Sequence, residues 1–145
     1  QRTMSIAQQL YEGIDTGGDS SGLITYMRTD STRISDEAIA ACKELISQRF
    51  GADMLHSGTR VYKSKQGAQD AHEAIRPTDP GKTPESLQAH LSKEQLKLYT
   101  LIWQRFVATQ MKSAKILATS ATISVGDAGF GATGIQISEE GFLKC

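Results

Sequence analysis

The spacing of the apolar residues changes near residue 113, and this change restricts the fold more than any other feature of the sequence. Before this point, apolar residues recur three or four positions apart, which is the spacing of one buried helix face. After Lys112 they alternate with small or polar residues on both sides of a turn at Gly126 and Asp127, as in a β-hairpin. The sequence therefore predicts an α+β fold, with a mainly helical domain over residues 1–112 and the β-rich start of a second domain over residues 113–145.

Three helices are predicted in the first domain. Residues 3–12 carry apolar side chains at helical spacing, and Gly13 follows them. Ser35 is a good N-cap for a second helix, which Gly51 would end. Ser92 and Gln95 form a capping box at the start of the third helix. Its apolar face, expected to supply core residues, comprises Leu96, Tyr99, Ile102, Trp103, Phe106, Val107, Gln110 and Met111.

Shorter elements are expected elsewhere. Residues 23–28 favour an extended conformation, and residues 70–75 are expected to form a short helix that ends before Pro77. Pro84 would occupy the first position of another short helix. The last residues, 142–145, read as the start of a strand, and both ends of the chain look cut. We therefore expect a fragment of a larger protein.

Composition narrows the classes of function. The 145 residues include 16 Lys and Arg and 16 Asp and Glu, so the formal net charge is zero. This balance argues against a broadly basic surface but leaves room for a local basic patch. No apolar run is long enough to span a bilayer, so no membrane partner is expected. Cys42 and Cys145 lack the spacing of a metal site or a disulfide framework, which is typical of a reducing cytoplasm.

The residues with the clearest chemistry are Tyr26 and Arg28. In an extended segment, residues i and i+2 point to the same face, so the two side chains would project together. A phenol is a poor nucleophile at neutral pH, but a neighbouring guanidinium can hold a phosphodiester and offset the charge that develops during attack. The pair fits phosphoryl transfer to tyrosine. On spacing alone, a half-buried aromatic beside a solvated charge is the commoner arrangement.

A second run, residues 69–78, contributes His72 and Arg76. Histidine changes charge near neutral pH, so His72 could contact a phosphate or shuttle a proton, although a lone histidine is more often structural or solvated. Arg76 would share its helix face four residues on. Its two roles, a second phosphate contact or an ion pair with Asp70 or Glu73, are equally compatible with the sequence.

Three more basic residues are candidate contacts to a nucleic-acid backbone. Arg33 follows the tyrosine segment, and Lys63 and Lys65 lie in a basic stretch that also carries Tyr62. Solvated charge is the default role for such residues, because most exposed Lys and Arg side chains contribute little to specific binding.

One motif is misleading. Residues 129–134 fit the dinucleotide-binding pattern G-x-G-x-x-G letter for letter. That pattern works only where a helix begins, because the N–H groups and dipole of the helix hold the pyrophosphate. Residues that favour strands follow here, so no dinucleotide cofactor is expected.

The runs 22–33 and 69–78 together closely resemble motifs of the type IA DNA topoisomerases. The resemblance covers most of the chain, including residues 7–12, 62–65, 98–106 and 110–111. Met27, followed by Thr-Asp-Ser-Thr, is similar to the bacterial topoisomerase I branch, whereas the topoisomerase III branch usually has proline after the tyrosine. The resemblance implies a tyrosine-bearing helical gate domain, followed by the start of a β-rich arch domain.

It also implies a reaction. The tyrosine that Tyr26 matches attacks single-stranded DNA, forms a 5′-phosphotyrosyl link and leaves a 3′-hydroxyl that later reseals the strand. Negatively supercoiled DNA is relaxed without ATP, because the phosphotyrosyl bond conserves the energy of the phosphodiester. Arg28 matches the arginine at the scissile phosphate, and His72 matches a histidine at the DNA site.

The resemblance further implies what lies outside the chain. In the family, a separate Toprim domain binds Mg²⁺, so this fragment is expected to hold no cofactor and to work with the remaining domains of the same polypeptide. The protein is expected in the bacterial cytoplasm, associated with the nucleoid, and the isolated fragment is expected to fold but to be inactive. Two alternatives stay open: a non-catalytic single-stranded nucleic-acid-binding module, and a structural or docking domain in which Tyr26 and Trp103 are core residues.

Overall fold

The computed structural model describes residues 1–17, 20–58, 60, 62 and 72–145. It has an α+β fold, as predicted. Helices α1 (Arg2–Glu12), α2 (Asp36–Arg49) and α3 (Lys93–Gln110) precede strands β1 (Lys115–Val125) and β2 (Ala128–Glu139). Two short 3-10 helices cover Ala52–Met54 and Gly141–Lys144.

The helices begin and end where local signals predict. The Ser35 side chain accepts a hydrogen bond from the Ala38 N–H at 3.4 Å and caps α2. Ser92 and Gln95 form the predicted capping box of α3, in which each side chain accepts from the backbone N–H of the other. Gly51 follows α2 with φ of 99°, a conformation that other residues rarely adopt. These caps satisfy backbone groups that a helix end leaves open.

The core lies between the three helices and the segments that connect them. Trp103 is 2% exposed and Phe106 is 4% exposed, so the prediction that they are core residues is confirmed. The polar atoms of two buried aromatics find partners in one loop: Trp103 donates to the Pro80 carbonyl at 2.8 Å, and the Tyr99 hydroxyl donates to the Lys82 carbonyl at 2.6 Å. These bonds fix the loop of residues 80–82 against α3.

The predicted hairpin forms, with its turn at Gly126 and Asp127. The strands pair antiparallel from Val125 opposite Ala128 to Lys115 opposite Glu139, and every residue of β1 is exposed. The motif of residues 129–134 lies inside β2, so no helix begins there. The helix start that the dinucleotide-binding pattern requires is therefore missing from residues 129–134.

Four local predictions need correction. Residues 142–145 do not start a strand, because Gly141 has φ of 50° and turns the chain back into a short 3-10 helix whose Phe142 N–H donates to the Lys112 carbonyl. The segment after Pro84 forms successive turns rather than a helix, with isolated bonds such as that from the Leu87 N–H to the Thr83 carbonyl.

The short helix expected at residues 70–75 is also wrong over its described part. Residues 72–75 are not helical, because their backbone groups pair with distant segments: the Ala74 N–H donates to the Arg33 carbonyl at 2.7 Å. Residues 70 and 71 lie outside the described part of the chain. Residues 23–28 are not extended throughout: Ile24 forms a β-bridge with Pro77, but a tight turn closes around Met27.

Candidate active site

The segment before Tyr26 is anchored on both sides by backbone hydrogen bonds. The Leu23 N–H donates to the carbonyl of Leu10 in α1 at 2.7 Å. On the other side, the Thr25 N–H donates to the Arg76 carbonyl at 2.9 Å and the Thr78 N–H donates to the Leu23 carbonyl at 3.1 Å. Since Leu23 is fully buried, the chain enters the site from a fixed position.

The Thr25 hydroxyl adds a second connection to the same neighbour. It donates to the Ala74 carbonyl at 2.8 Å and accepts from the Arg76 N–H at 3.0 Å. Both contacts are part-buried. Thr25 thus joins the tyrosine segment to the run that contains His72.

Tyr26 itself stands out from the surface. Its side chain is 54% exposed, and its ring meets the Tyr11 ring edge-on, with centroids 5.4 Å apart and planes at 73°. Such edge-to-face pairs are favourable beyond the area that they bury. Tyr26 is therefore not a core residue, unlike Trp103, and the structural-domain alternative loses its main support.

Tyr26 and Arg28 are joined by a tight turn rather than by extended chain. The Arg28 N–H donates to the Tyr26 carbonyl at 2.9 Å, which closes a three-residue turn around Met27. The expected same-face arrangement of a strand is accordingly replaced by a turn. The two residues are thus joined through their backbones by this turn.

Arg28 and His72 come together across 44 positions of sequence. Arg28 Nη1 lies 3.3 Å from His72 Nε2, and Arg28 Nε lies 3.1 Å from Asp30 Oδ1. A guanidinium has only donors, so in this arrangement His72 Nε2 accepts and Nδ1 carries the proton. Nδ1 is buried and has no partner among the described residues. The pair is about one-third exposed at Arg28, which leaves the guanidinium accessible to an anion.

The position of His72 is fixed through its backbone. The Ser31 hydroxyl donates to the His72 carbonyl at 2.6 Å and accepts from the Arg33 N–H at 3.2 Å. The hydroxyl-rich run after Tyr26 therefore holds the second motif in place. Sequence reasoning identified His72 but missed this role of Ser31.

Arg76 makes the ion pair that the sequence left as one of two roles. Its Nη2 lies 2.6 Å from Glu73 Oε2, and its Nη1 donates to the Pro77 carbonyl at 2.9 Å. Glu73 also accepts from the Ser35 N–H at 2.8 Å. Burial alone would raise the pKa of Glu73, but the hydrogen bonds from Arg76 and Ser35 outweigh it and lower that pKa below its usual value.

The remaining predicted basic contacts are less informative. Arg33 is exposed, and its guanidinium makes no hydrogen bond or ion pair with the described part of the chain. Lys63 and Lys65 lie outside the described residues. Tyr11 and Thr25 were missed by sequence reasoning, although both lie within or next to the runs that carry the resemblance.

An open cleft of about 700 Å³ lies beside the Tyr11 ring. It has both acidic and basic side chains in its wall, among them Glu12, Asp79 and Lys82. Gly22 borders it and packs so closely on the Tyr11 carbonyl that a Cβ at this position would overlap the oxygen. The end of α1 and the start of the tyrosine segment are thus in direct contact.

The fold and this arrangement of tyrosine, arginine and histidine lead to a known class of protein. The chain belongs to the DNA topoisomerase family, whose model matches residues 1–145. Within that family it is a fragment of a bacterial type IA topoisomerase.

Two relatives illustrate the match. The chain is 48% identical over 144 residues to DNA topoisomerase 1 of Treponema pallidum (strain Nichols), covering 99% of this chain and 20% of that protein. It also superposes on full-length topoisomerase I from Thermotoga maritima, in a monoclinic crystal form, with a TM-score of 0.79 and 40% identity. That match covers 97% of this chain and 22% of the other. The chain thus spans about a fifth of the length of these relatives.

Two further observations concern all of the residues that the structure describes. None of the helices in the described part of the chain combines the length and apolar character that a bilayer crossing requires. Across the same residues, no three His, Cys, Asp or Glu side chains are grouped so that they could hold a metal ion.

Proposed function

We propose that Tyr26 is the nucleophile of a reversible DNA strand-cleavage reaction. Its phenolic oxygen attacks a backbone phosphorus and forms a tyrosyl–phosphate bond, while the bond from phosphorus to the 3′ oxygen breaks. The phenol loses its proton, and the leaving 3′ oxygen takes one up. The observation that carries the proposal is the exposed Tyr26, two residues before an arginine whose guanidinium contacts a histidine and a carboxylate.

Arg28 is proposed to hold the scissile phosphate. A guanidinium offers five N–H donors in a planar fork, and phosphate oxygens accept two of them at once. Asp30 keeps Nε in place, so Nη1 and Nη2 remain for the phosphate once Nη1 leaves His72. His72 would then present Nε2 to the DNA or to a proton in transit.

The product of cleavage is proposed to be a 5′-phosphotyrosyl link and a free 3′-hydroxyl. Passage of another strand through the break, followed by attack of the 3′-hydroxyl on the phosphotyrosyl bond, would relax negatively supercoiled DNA without ATP. The exchange of one phosphoester for another supports this, because little free energy is lost between the two states.

The rest of the machinery is proposed to lie in other domains of the same polypeptide. We propose that a separate domain of the same polypeptide binds Mg²⁺, as the resemblance to the type IA enzymes implies. The chain alone is then expected to fold without cleaving or relaxing DNA. A bacterial cytoplasmic location with nucleoid association is part of the same proposal.

The test is a relaxation assay on the full-length polypeptide that contains this chain, with a negatively supercoiled plasmid, Mg²⁺ and no nucleotide. Tyr26→Phe should abolish relaxation while its affinity for a single-stranded oligonucleotide stays within about twofold, because the substitution removes one hydroxyl only. Ser124→Ala is the control, since it also removes one exposed hydroxyl, from a residue of β1 outside the candidate site. Relaxation by Tyr26→Phe would refute the proposal, and binding without relaxation by the unaltered protein would favour the non-catalytic module.

A further inference from the structure

A second cavity, of about 360 Å³, is bordered by residues 74–76. Its wall is formed by residues of α3 and of the hydroxyl-rich run after Tyr26, together with Arg60, Tyr62 and Phe142. Its described wall includes Arg60, Arg76 and Arg105, together with several apolar side chains. Tyr26, Arg28 and His72 are not part of this wall.

The charge of this cavity is strongly one-sided. Three guanidiniums line it, and no carboxylate belongs to the described wall. Glu73 neutralises Arg76, whereas the partner of Arg60 among the described residues is the neutral Ser113 hydroxyl, to which it donates at 2.7 Å. Arg105 makes no hydrogen bond or ion pair within the described part of the chain. Two positive charges therefore face the cavity without a compensating anion from these residues.

A buried donor adds to this imbalance. The Arg76 side chain is only 12% exposed, and its Nε is buried without a hydrogen-bond partner among the described residues. An unsatisfied buried donor is costly, and such groups commonly mark a site that a ligand or water completes. This buried Nε belongs to one of the three arginines that line the cavity.

The rest of the wall suits a flat aromatic group rather than a bare anion. Ile34, Ile75, Phe106 and Phe142 provide apolar surface, and Tyr62 adds a half-exposed ring. Aromatic and arginine side chains stack on nucleobases, while guanidiniums bind phosphate oxygens. A volume of about 360 Å³ is at the small end of ligand pockets, which fits one nucleotide unit.

We propose that this cavity is a nucleotide pocket, which takes a phosphate on Arg60 and Arg105 and the attached base on its apolar wall. The nucleotide could belong to a DNA strand or be free in solution. The cavity is connected to the candidate active site, because Ser31 lines it and donates to the His72 carbonyl. Binding here does not depend on the chemistry of Tyr26.

The experiment uses the full-length polypeptide carrying Tyr26→Phe, so that cleavage cannot complicate binding. Calorimetric titrations compare thymidine 5′-monophosphate, thymidine, inorganic phosphate and a short single-stranded oligonucleotide. Arg60→Gln and Arg105→Gln are the test variants. Arg2→Gln is the control, because its guanidinium pairs with Glu94 outside the cavity.

Each test variant should weaken the binding of a nucleotide probe about tenfold, the effect of losing one charge-assisted contact, and should reduce the salt dependence of oligonucleotide binding by about one counterion. Loss for the mononucleotide indicates a pocket for free nucleotides, and loss for the oligonucleotide alone indicates a pocket for the strand. The proposal is overturned if inorganic phosphate binds as tightly as the nucleotide probes, or if Arg60→Gln and Arg105→Gln bind like Arg2→Gln. Neither result bears on Tyr26 as the nucleophile, since cleavage is blocked throughout.

Discussion

Replacing Thr25 by valine should destabilise the chain and loosen the tyrosine segment. Valine has the shape of threonine but no hydroxyl, so Thr25→Val removes the 2.8 Å bond to the Ala74 carbonyl and the 3.0 Å bond from the Arg76 N–H. The backbone bond from the Thr25 N–H to the Arg76 carbonyl remains. The variant therefore isolates the side-chain contribution.

The magnitude follows from the two backbone groups that lose a partner. A buried polar group left unsatisfied costs about 1–3 kcal/mol. Both contacts are part-buried, so water can replace some of each bond. We expect a loss of about 2–3 kcal/mol in the free energy of unfolding, a large share of the roughly 5–15 kcal/mol that stabilises an ordinary domain.

Urea unfolding of the 145-residue chain, followed by the fluorescence of its single tryptophan, measures this loss. With a slope of roughly 1–3 kcal/mol per molar urea, the midpoint should fall by about 1 M. Thr25→Ser is the matched control, because it keeps the hydroxyl and loses only a methyl group, worth about 1 kcal/mol or less. The prediction is refuted if the free energies of unfolding of Thr25→Val and of the unaltered chain differ by less than about 0.5 kcal/mol, which is near the precision of such data. It is also refuted if Thr25→Ser loses as much stability as Thr25→Val.

Three further predictions concern single residues. The pKa of Glu73 is lowered below 4.5 in the folded chain, so Glu73→Gln should lower the free energy of unfolding by about 2 kcal/mol at pH 7. This loss should shrink as the pH falls below 4.5 through the folded pKa, because the carboxylate then becomes protonated. Unfolding free energies at pH 7 and pH 3 check the prediction, and a difference that does not change with pH would contradict it. Gly22→Ala should cost about 1–3 kcal/mol in the same urea assay, because the new Cβ overlaps the Tyr11 carbonyl, whereas Gly58→Ala, with open space around its Cβ, should cost much less. Burial raises the pKa of the Cys42 thiol to about 12, so iodoacetamide at pH 8 should label Cys42 only in denaturant. Rapid labelling of Cys42 in the folded chain would show that its face of α2 is not packed.

The sequence predicted those parts of the fold that local interactions determine. A capping box needs only the four residues from Ser92 to Gln95, and a hairpin needs only alternation on both sides of one turn. Both features form as predicted. The core role of Trp103 follows in the same way from the periodicity of its own helix.

The errors lie where distant segments determine the backbone. Residues 72–75 have a helix-like composition, but the bonds of Ala74 to Arg33 and Thr25 hold them in a non-helical conformation, and no local signal reports such partners. The tight turn around Met27 and the contact between the Tyr11 and Tyr26 rings are tertiary features in the same sense. The site residues Tyr26, Arg28 and His72 came from spacing and resemblance, whereas their geometry required the fold.

Tyr26 is the residue that we propose becomes covalently linked to DNA, and this link can be detected directly. The full-length polypeptide is incubated with Mg²⁺ and a single-stranded oligonucleotide labelled at its 3′ end, quenched with denaturant and digested for mass spectrometry. A 5′-phosphotyrosyl link keeps the 3′ label on the protein, so a labelled peptide should contain Tyr26. It should disappear in Tyr26→Phe and should persist in the control Ser124→Ala. An adduct on another residue, or one that survives in Tyr26→Phe, would contradict the account.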